Sequence, residues 1–179
     1  MARVREKELS QLTDRNELIA AARALAELYQ RLEQPDNEVR AWERLYELAP
    51  AELGHDDKVL LALERHYGET GRHPEQAALL NRALAELATP APRPPGSGAP
   101  RPPAERREQR RTLLLRLAGV QRDSLAAPDQ ATATYEQIVA EWPTDRAALQ
   151  ALGGLYGRTE RTDDLKRTLG QLLELTTEP

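Results

Sequence analysis

The chain of 179 residues contains no cysteine. Without cysteine there is no disulfide framework, no thiolate nucleophile and no thiolate ligand for a metal ion. Cysteine usage is also the usual sign of the redox compartment, so this sequence carries no such sign. The absence therefore excludes several kinds of chemistry and does not locate the protein.

Long apolar runs are missing as well. No stretch approaches the roughly 18 residues needed to span a bilayer, and the first residues, MARVREKELSQL, lack the apolar middle of a signal peptide. We therefore expect no membrane insertion. A cytoplasmic location follows if the chain is complete, whereas the location is unknown if the chain is a fragment of a longer protein.

An excess of positive charge is also missing. The formal net charge is −4, which opposes a general nucleic-acid binder because such proteins usually carry a basic face. The densest basic run, RREQRR at 106–111, is interleaved with glutamates and has no aromatic residue for base stacking. We interpret this run as a solvated helix start, with RNA, an anionic membrane or an acidic partner as the alternative ligand. No nucleic-acid partner is expected.

Most of the sequence consists of alanine, leucine, glutamate and arginine, which is the composition of helices. Apolar residues recur at helical spacing, and proline, glycine or a capping residue interrupts them about once every dozen residues. Helix caps are predicted at Asp14, Asp36, Thr144 and Thr162, and Gly71 is a predicted helix-terminating residue. The predicted fold is all-α, with four antiparallel pairs of helices at 16–32, 37–48, 56–69, 75–88, 104–125, 129–142, 145–157 and 163–175.

The few aromatic residues indicate an internal repeat. Tyr29, Tyr67 and Tyr156 each lie near the end of the first helix of a pair, while Trp42 and Tyr135 lie inside second helices, eight residues before a proline. In these positions the sequence resembles the tetratricopeptide repeat (TPR) family. The family unit is a 34-residue helix-turn-helix with a pattern of small and aromatic residues that ends in proline.

The resemblance covers four units, at 19–52, 57–90, 112–145 and 146–179. In the last unit, Leu152, Gly153 and Tyr156 stand where the family has its Leu-Gly-x-x-Tyr group. Four residues around positions 54 and 55 are extra between the first two units. The matching residues in the other units are Tyr29, Trp42 and Pro50, then Tyr67, Gly71, Ala83 and Leu84, and then Gly119, Ala131, Tyr135 and Pro143.

The resemblance implies an α-solenoid, a right-handed superhelix whose concave wall is lined by the first helix of each pair and binds extended peptides or helices. The outward positions of these helices carry more cations than anions, which suits an acidic segment or a free C-terminal carboxylate. Ordinary solvated helix faces are the alternative, because the Lys and Asn arrangement by which some family members clamp a carboxylate is not reproduced. The candidate partner-binding residues are Arg23, Glu27, Gln30, Lys58, Arg65, Arg116, Gln150 and Arg158.

Other patterns do not indicate an enzyme or a metal protein. The histidines and aspartates around positions 55–57 lack the i, i+4 spacing of two helical metal ligands. The Gly153-Gly154 pair has no preceding strand and no GK[ST] sequence, so it is not a phosphate loop. No serine lies in a recognisable nucleophile motif. We expect no catalysis, no metal and no cofactor.

The stretch TPAPRPPGSGAPRPP at 89–103 allows three interpretations: a hinge between domains, a PxxP docking peptide, or an insertion looped out of one structure. About three or more repeats are usually needed to bury a continuous core, so two helix pairs on each side look undersized alone. We predict a flexible, disordered insertion. Residues 1–88 would hold a partial N-terminal helix and repeats 1 and 2, residues 104–179 would hold repeats 3 and 4, and all four would stack as one solenoid.

Two classes of function stay open at this point. The leading one is a non-catalytic interaction module that binds a peptide or helix of a partner protein in its concave groove. The alternative is a structural spacer or assembly segment of a larger multi-repeat scaffold. Self-association through exposed end helices belongs to this second class, because terminal repeats without a polar cap leave an apolar face uncovered.

Overall fold

The computed structural model describes residues 14–48, 57–88 and 102–177. Within these residues it contains eight α-helices and no strand, so the all-α prediction is confirmed. The partial N-terminal helix, the extra residues near position 54 and all of the 89–103 stretch except its last two residues lie outside the described part. The helices are α1 (Arg15–Arg31), α2 (Pro35–Leu48), α3 (Asp57–Glu69), α4 (His73–Ala88), α5 (Pro103–Asp123), α6 (Pro128–Glu141), α7 (Arg146–Arg158) and α8 (Thr162–Thr177).

The chain divides into two compact units, Met1–Pro100 and Arg101–Pro179. In the first unit α1 packs against α2, α2 against α3, and α3 against α4. The second unit repeats this order, with α5 against α6, α6 against α7, and α7 against α8. Each unit is therefore two helix pairs in succession, which we call unit 1 and unit 2.

The start of α1 follows from local capping. Asp14 caps this helix as predicted, because its Oδ1 accepts hydrogen bonds from the backbone N–H groups of Asn16, at 2.8 Å, and Glu17, at 3.1 Å. These bonds satisfy donors that the first turn of a helix leaves without an internal partner.

Three other predicted caps lie one residue away from the true helix boundary. The cap of α7 is Asp145 and not Thr144, since Asp145 accepts from the backbone N–H of Ala148 at 3.0 Å. Asp36 is not a cap either, because α2 already begins at the residue before it, where the fixed φ of proline suits the first helical position. Thr162 is the first residue of α8 itself. The helices are therefore where the sequence predicts them, and the errors concern only their ends.

The turns inside the four pairs share one backbone feature. Each contains one residue with positive φ, and three of these four residues are not glycine. After the turn residue, the next N–H reaches back to a carbonyl near the helix end, as in the 2.8 Å bond from Arg72 to Tyr67. The positive-φ residues are Glu33 at 52°, Gly71 at 71°, Ala126 at 48° and Glu160 at 56°.

The core of each unit consists of leucine, alanine and the repeat aromatics. Small residues such as Ala26, Ala118 and Ala131 are fully buried where helices approach closely, and Leu45 and Leu155 fill the space between them. Burial of these side chains, more than helix propensity, stabilises helices of 13 to 21 residues. The core face of each first helix thereby fixes which of its residues point outward.

Candidate interaction surfaces

The structure places three of the predicted partner-binding residues of unit 1 on one face of α1, and a fourth on α3. Arg23, Glu27 and Gln30 are spaced i, i+4 and i+7, so they share one face of α1. The glutamate and the glutamine are exposed or nearly so, and the arginine is half-buried. Arg65 is exposed on α3, while Lys58 belongs to the same helix and its side chain lies outside the described residues.

Sequence reasoning missed an apolar residue on the same face of α3. Leu61 is 53% exposed and lies one helical turn before Arg65. Val59, Leu60 and Leu63 are buried in the core, whereas Leu61 is out of phase with them along the helix. This difference in phase is the feature of the sequence that could have predicted the exposure of Leu61. We call the surface formed by Leu61 and Arg65 the α3 outward face.

In unit 2 the predicted residues are less uniform. Arg116 on α5 is half-buried, whereas Gln150 and Arg158 are exposed on one face of α7. Gly154 lies between the last two, and a Cβ atom built there would meet nothing within 4 Å. Packing therefore does not require a glycine at this position, although glycine weakens a helix. The backbone of α7 is open to a ligand at this point.

A cluster of polar side chains joins the two helix pairs of unit 1. The Tyr67 hydroxyl on α3 donates a 2.7 Å hydrogen bond to Glu43 on α2. Arg72 also donates to Glu43, at 3.2 Å, and to Glu75 on α4, at 3.0 Å, and its guanidinium lies 4.7 Å from the centre of the Tyr67 ring. Four side chains from three successive helices and one turn thus form one hydrogen-bonded group.

Unit 2 contains the same cluster at the equivalent repeat positions. The Tyr156 hydroxyl donates to Glu136 at 2.8 Å, and Arg161 contacts Glu136 at 3.2 Å and Asp164 at 2.7 Å. The Arg161 guanidinium lies 4.6 Å from the centre of the Tyr156 ring. Sequence reasoning missed both clusters, although the spacing Tyr-x4-Arg-x2-acid occurs in each. We call them the junction clusters.

The junction tyrosines are held in the protonated state. Burial, followed by the hydrogen bond to Glu43, raises the pKa of Tyr67 well above its ordinary value of 10. Burial, and then the bond to Glu136, raises the pKa of Tyr156 to about 12. Both hydroxyls are therefore hydrogen-bond donors near neutral pH. The hydrogen bonds that they donate join helices. Hydroxyls with such raised pKa values do not suit proton transfer at physiological pH.

Each unit also has a groove between its second helices, with the intervening first helix as the floor. Groove 1 has a volume of about 400 Å³ and lies between α2 and α4, above Leu63 and Tyr67 of α3. Groove 2 has about 340 Å³ and lies between α6 and α8, above Leu152 and Tyr156 of α7. The two grooves are equivalent positions of the repeat, and each borders a junction cluster.

Tyr46 distinguishes groove 1 from groove 2. Its hydroxyl is buried without a hydrogen-bond partner, and burial raises its pKa to about 12. The Arg82 guanidinium stacks on its ring at 4.8 Å. The equivalent residues of groove 2 are Val139 and Gln171, which cannot form this stack. Groove 1 therefore contains a tyrosine hydroxyl without a hydrogen-bond partner in the protein, and groove 2 has no residue of this kind at the equivalent position.

The basic run at 106–111 differs from the predicted solvated helix start. Arg110 forms a bidentate ion pair with Glu141 at 3.0 to 3.2 Å. Arg111 forms an ion pair with the buried Asp145 at 2.5 Å. Arg107 donates to the backbone carbonyl of Glu141 at 2.7 Å and lies over the Trp142 ring. These arginines therefore connect α5 to the turn between α6 and α7. The partners are about 30 residues away in sequence, so local pattern could not identify them.

Metal-ligand clusters and membrane spans are both absent from the part of the chain that the structure describes. In residues 14–48, 57–88 and 102–177, no three His, Asp or Glu side chains are grouped as a metal ion would require. The same residues contain no helix that is both long and apolar enough to cross a membrane.

Similarity to known proteins is found in structure and not in sequence. No protein-family model matches the sequence. No curated protein matches it either. Solved structures do match: a crystal structure of MamA has a TM-score of 0.57 at 16% sequence identity, and covers 98% of this chain and 86% of its own.

A kinesin-light-chain-type protein of Podosopora anserina, built of nearly identical TPR-like repeats, is similar to a comparable degree. Its TM-score is 0.54 at 18% identity, with 98% of this chain and 85% of that chain covered. A mutant of MamA gives 0.54 at 18% identity, with 93% and 83% covered. At such identities the likeness establishes the fold. The chain has a TPR-like helical-repeat fold, as the aromatic pattern predicted.

Proposed function

We propose that the chain is a non-catalytic protein-interaction module, and that the outward faces of its first helices bind an acidic peptide segment or helix of a partner protein. The observation that carries the proposal is the α3 outward face, where Leu61 is 53% exposed one turn before the exposed Arg65. Arginine is enriched among the residues that dominate binding energy, and the exposed leucine beside it adds apolar area that a partner would bury. The TPR-like fold supports the same class of function, because such folds serve as protein-interaction scaffolds.

The two side chains would contribute different parts of the recognition. Covering Leu61 removes apolar surface from water, which favours binding at about 25 cal/mol per Å² of apolar area. Arg65 would form paired, charge-assisted hydrogen bonds to a carboxylate of the partner. On α7 the open backbone at Gly154, between Gln150 and Arg158, would allow a peptide to approach closely. A partner segment in which an apolar and an acidic residue are neighbours fits the α3 outward face.

Selection of peptides from a random display library against the intact protein tests this proposal. The expected result is enrichment of acidic segments with at least one large apolar residue, and a loss of about tenfold or more in affinity in the Leu61→Ala and Arg65→Glu variants. Arg40→Glu is the matched control, because Arg40 is an exposed arginine on the second helix α2. Equal affinities in Arg65→Glu and Arg40→Glu would contradict the proposal.

The alternative function is a structural spacer or assembly segment of a larger scaffold. Crosslinking through Lys58, on the same helix as Leu61 and Arg65, separates the two functions. Crosslinks to one foreign segment support the interaction module. Crosslinks confined to other copies of this chain support assembly, including self-association through end helices. We also propose that the protein neither catalyses a reaction nor binds nucleic acid. Measured turnover of a substrate, or a nucleic-acid complex that persists at raised salt, would overturn this part of the proposal.

A further inference from the structure

Groove 1 contains two hydrogen-bond donors that no acceptor in the described residues engages. The first is the Tyr46 hydroxyl, which has no hydrogen-bond partner in the protein and belongs to a side chain only 5% exposed. The second is the exposed guanidinium group of Arg82, which takes part in none of the ion pairs of the described residues. Even Glu86, one turn further along α4, is not paired with it. Because the guanidinium lies 4.8 Å from the centre of the Tyr46 ring, we call these two residues the donor pair.

The carboxylates that line groove 1 are engaged by other arginines. Glu43 and Glu75 both accept hydrogen bonds from Arg72, at 3.2 and 3.0 Å. Glu47 forms an ion pair with Arg44 at 3.1 Å. These are the three glutamates of the groove lining, and none of them is held by the donor pair. The donor pair therefore stays available to an acceptor from outside the groove.

Groove 2 shows that the repeat does not require this arrangement. Val139 and Gln171 stand at the positions of the donor pair, so one donor is missing there and the positive charge is missing too. Arg167 stands where groove 1 has Ala78, and its longer side chain takes room that groove 1 leaves open. The donor pair is therefore a local feature of groove 1, although both grooves have the same repeat architecture.

The lining between the donor pair and the junction cluster is apolar. On α4, Ala78 and Leu79 lie between Glu75 of the junction cluster and Arg82 two turns later, and Leu63 of α3 lies on the floor. The groove has a volume of about 400 Å³, which is within the range of small-molecule sites. Such sites combine an apolar lining with a few polar groups that orient the ligand. Groove 1 has this composition.

The donors and the charges together define the chemistry of the occupant. A carboxylate accepts hydrogen bonds from a guanidinium group and a hydroxyl at the same time, and such charge-assisted bonds are strong. An apolar body attached to it would lie along Leu63 and Leu79. A segment with several acidic residues fits poorly, because the three glutamates of the lining would repel its further carboxylates. The occupant that fits carries one carboxylate.

We propose that groove 1 binds a small organic acid, a single carboxylate on an apolar body, whose carboxylate is held by Arg82 and the Tyr46 hydroxyl. The Arg82 side chain lies over the tyrosine ring and no ion pair holds it, so it can turn toward the ligand and admit the carboxylate to the hydroxyl. This site is separate from the α3 outward face, because Leu61 and Leu63 are roughly 200° apart around α3. The proposal does not depend on the proposed function.

Titration of the full chain with phenylbutyrate tests the proposal, and the uncharged phenylbutyramide is the matched ligand. The NMR signals of leucine methyl groups report where the ligand binds, since Leu63 and Leu79 line groove 1 and Leu152 lines groove 2. We expect saturable shifts of Leu63 and Leu79 with the acid, binding of the amide that is weaker by about tenfold or more, and no shift of Leu152. Failure of phenylbutyrate to bind, or equal affinity for the acid and the amide, would overturn the proposal.

Protein variants assign the roles of the two donors. Arg82→Gln places the groove 2 residue in groove 1 and should weaken phenylbutyrate binding by about tenfold or more. Tyr46→Phe removes only the hydroxyl and should weaken binding by about fivefold. Arg40→Gln is the matched control, because Arg40 is an exposed arginine of α2 outside the groove lining, and it should leave the affinity unchanged. Unchanged affinity in Arg82→Gln and Tyr46→Phe would show that the donor pair does not hold the carboxylate.

A competing peptide distinguishes a small acid from a segment of a partner protein. The competitor is a peptide of alternating leucine and glutamate, blocked at both ends. We expect it to leave phenylbutyrate bound in groove 1, because its several carboxylates meet the glutamates of the lining. Displacement of phenylbutyrate by a peptide concentration below that of the acid itself would overturn the assignment to a small acid and indicate a protein segment. None of these results bears on the α3 outward face, whose peptides are tested with different variants.

Discussion

The hydroxyl of Tyr156 donates a 2.8 Å hydrogen bond to the carboxylate of Glu136 and so connects the first helix of one pair to the second helix of the pair before it. Unit 1 has the same bond between Tyr67 and Glu43. Because the side chains come from successive helix pairs, the bond fixes how the pairs are aligned in each unit. Apolar packing alone is less directional and would allow small shifts.

Substituting Tyr156 by phenylalanine should destabilise unit 2 by about 1 kcal/mol, since a hydrogen bond to a charged group is lost. The value lies below the usual range for bonds to charged groups, because the Glu136 side chain is 44% exposed and water replaces part of the interaction. Tyr46→Phe is the matched control. Its hydroxyl has no hydrogen-bond partner within the protein, so removing it should leave stability unchanged or increase it. Urea unfolding of both variants, followed by circular dichroism at pH 7, measures the difference. Equal destabilisation by the two substitutions would contradict the assigned role of the junction cluster.

The tyrosines also predict how stability depends on alkaline pH. Burial raises the pKa values of Tyr46 and Tyr156 from 10 to about 12, so folding favours their protonated forms. The resulting stabilisation is fully present below pH 10 and is lost as pH rises toward 12. The free energy of unfolding should therefore fall between pH 10 and 12. A Tyr46→Phe/Tyr156→Phe variant should show a smaller fall over this interval than the unsubstituted protein, and identical slopes would refute the assignment.

Glycine should be tolerated or preferred at the turn residue of each helix pair. Glu160 has a φ of 56°, a conformation that costs about 1 kcal/mol or more for a residue with a Cβ atom. Glu160→Gly removes this cost but increases the entropy of the unfolded chain, so the net stabilisation should be about 0.5 kcal/mol. Glu160→Ala keeps the Cβ atom and should give no gain. Midpoints of thermal unfolding rank the two variants, and a gain in the alanine variant equal to that in the glycine variant would show that φ is not the cause.

The helices could be predicted well from the sequence because their signals are local. Periodic leucines, prolines at helix starts and Gly71 at a helix end each act within a few residues, and the repeated aromatics revealed the pairing. The contacts of Arg110 and Arg111 could not be predicted in this way, because Glu141 and Asp145 follow them by about 30 residues. The exposure of Leu169 and Leu173 on α8 could not be predicted for a different reason. Leu169 occupies the same repeat position as Tyr135, and a repeat pattern does not reveal whether another helix covers the position.

The stacking of all four pairs as one solenoid stays a prediction from sequence, and cleavage of the 89–103 stretch tests it. Two pairs alone are fewer than the roughly three repeats usually needed for a continuous core, so halves freed from one another should expose apolar surface. A recognition sequence for a specific protease, placed at the Gly-Ser-Gly segment at 96–98, allows cleavage of the folded protein. We expect the two halves to remain together in size-exclusion chromatography after cleavage and to separate in urea. Halves that separate without denaturant, each with its helical circular dichroism intact, would show instead that the units fold and act independently.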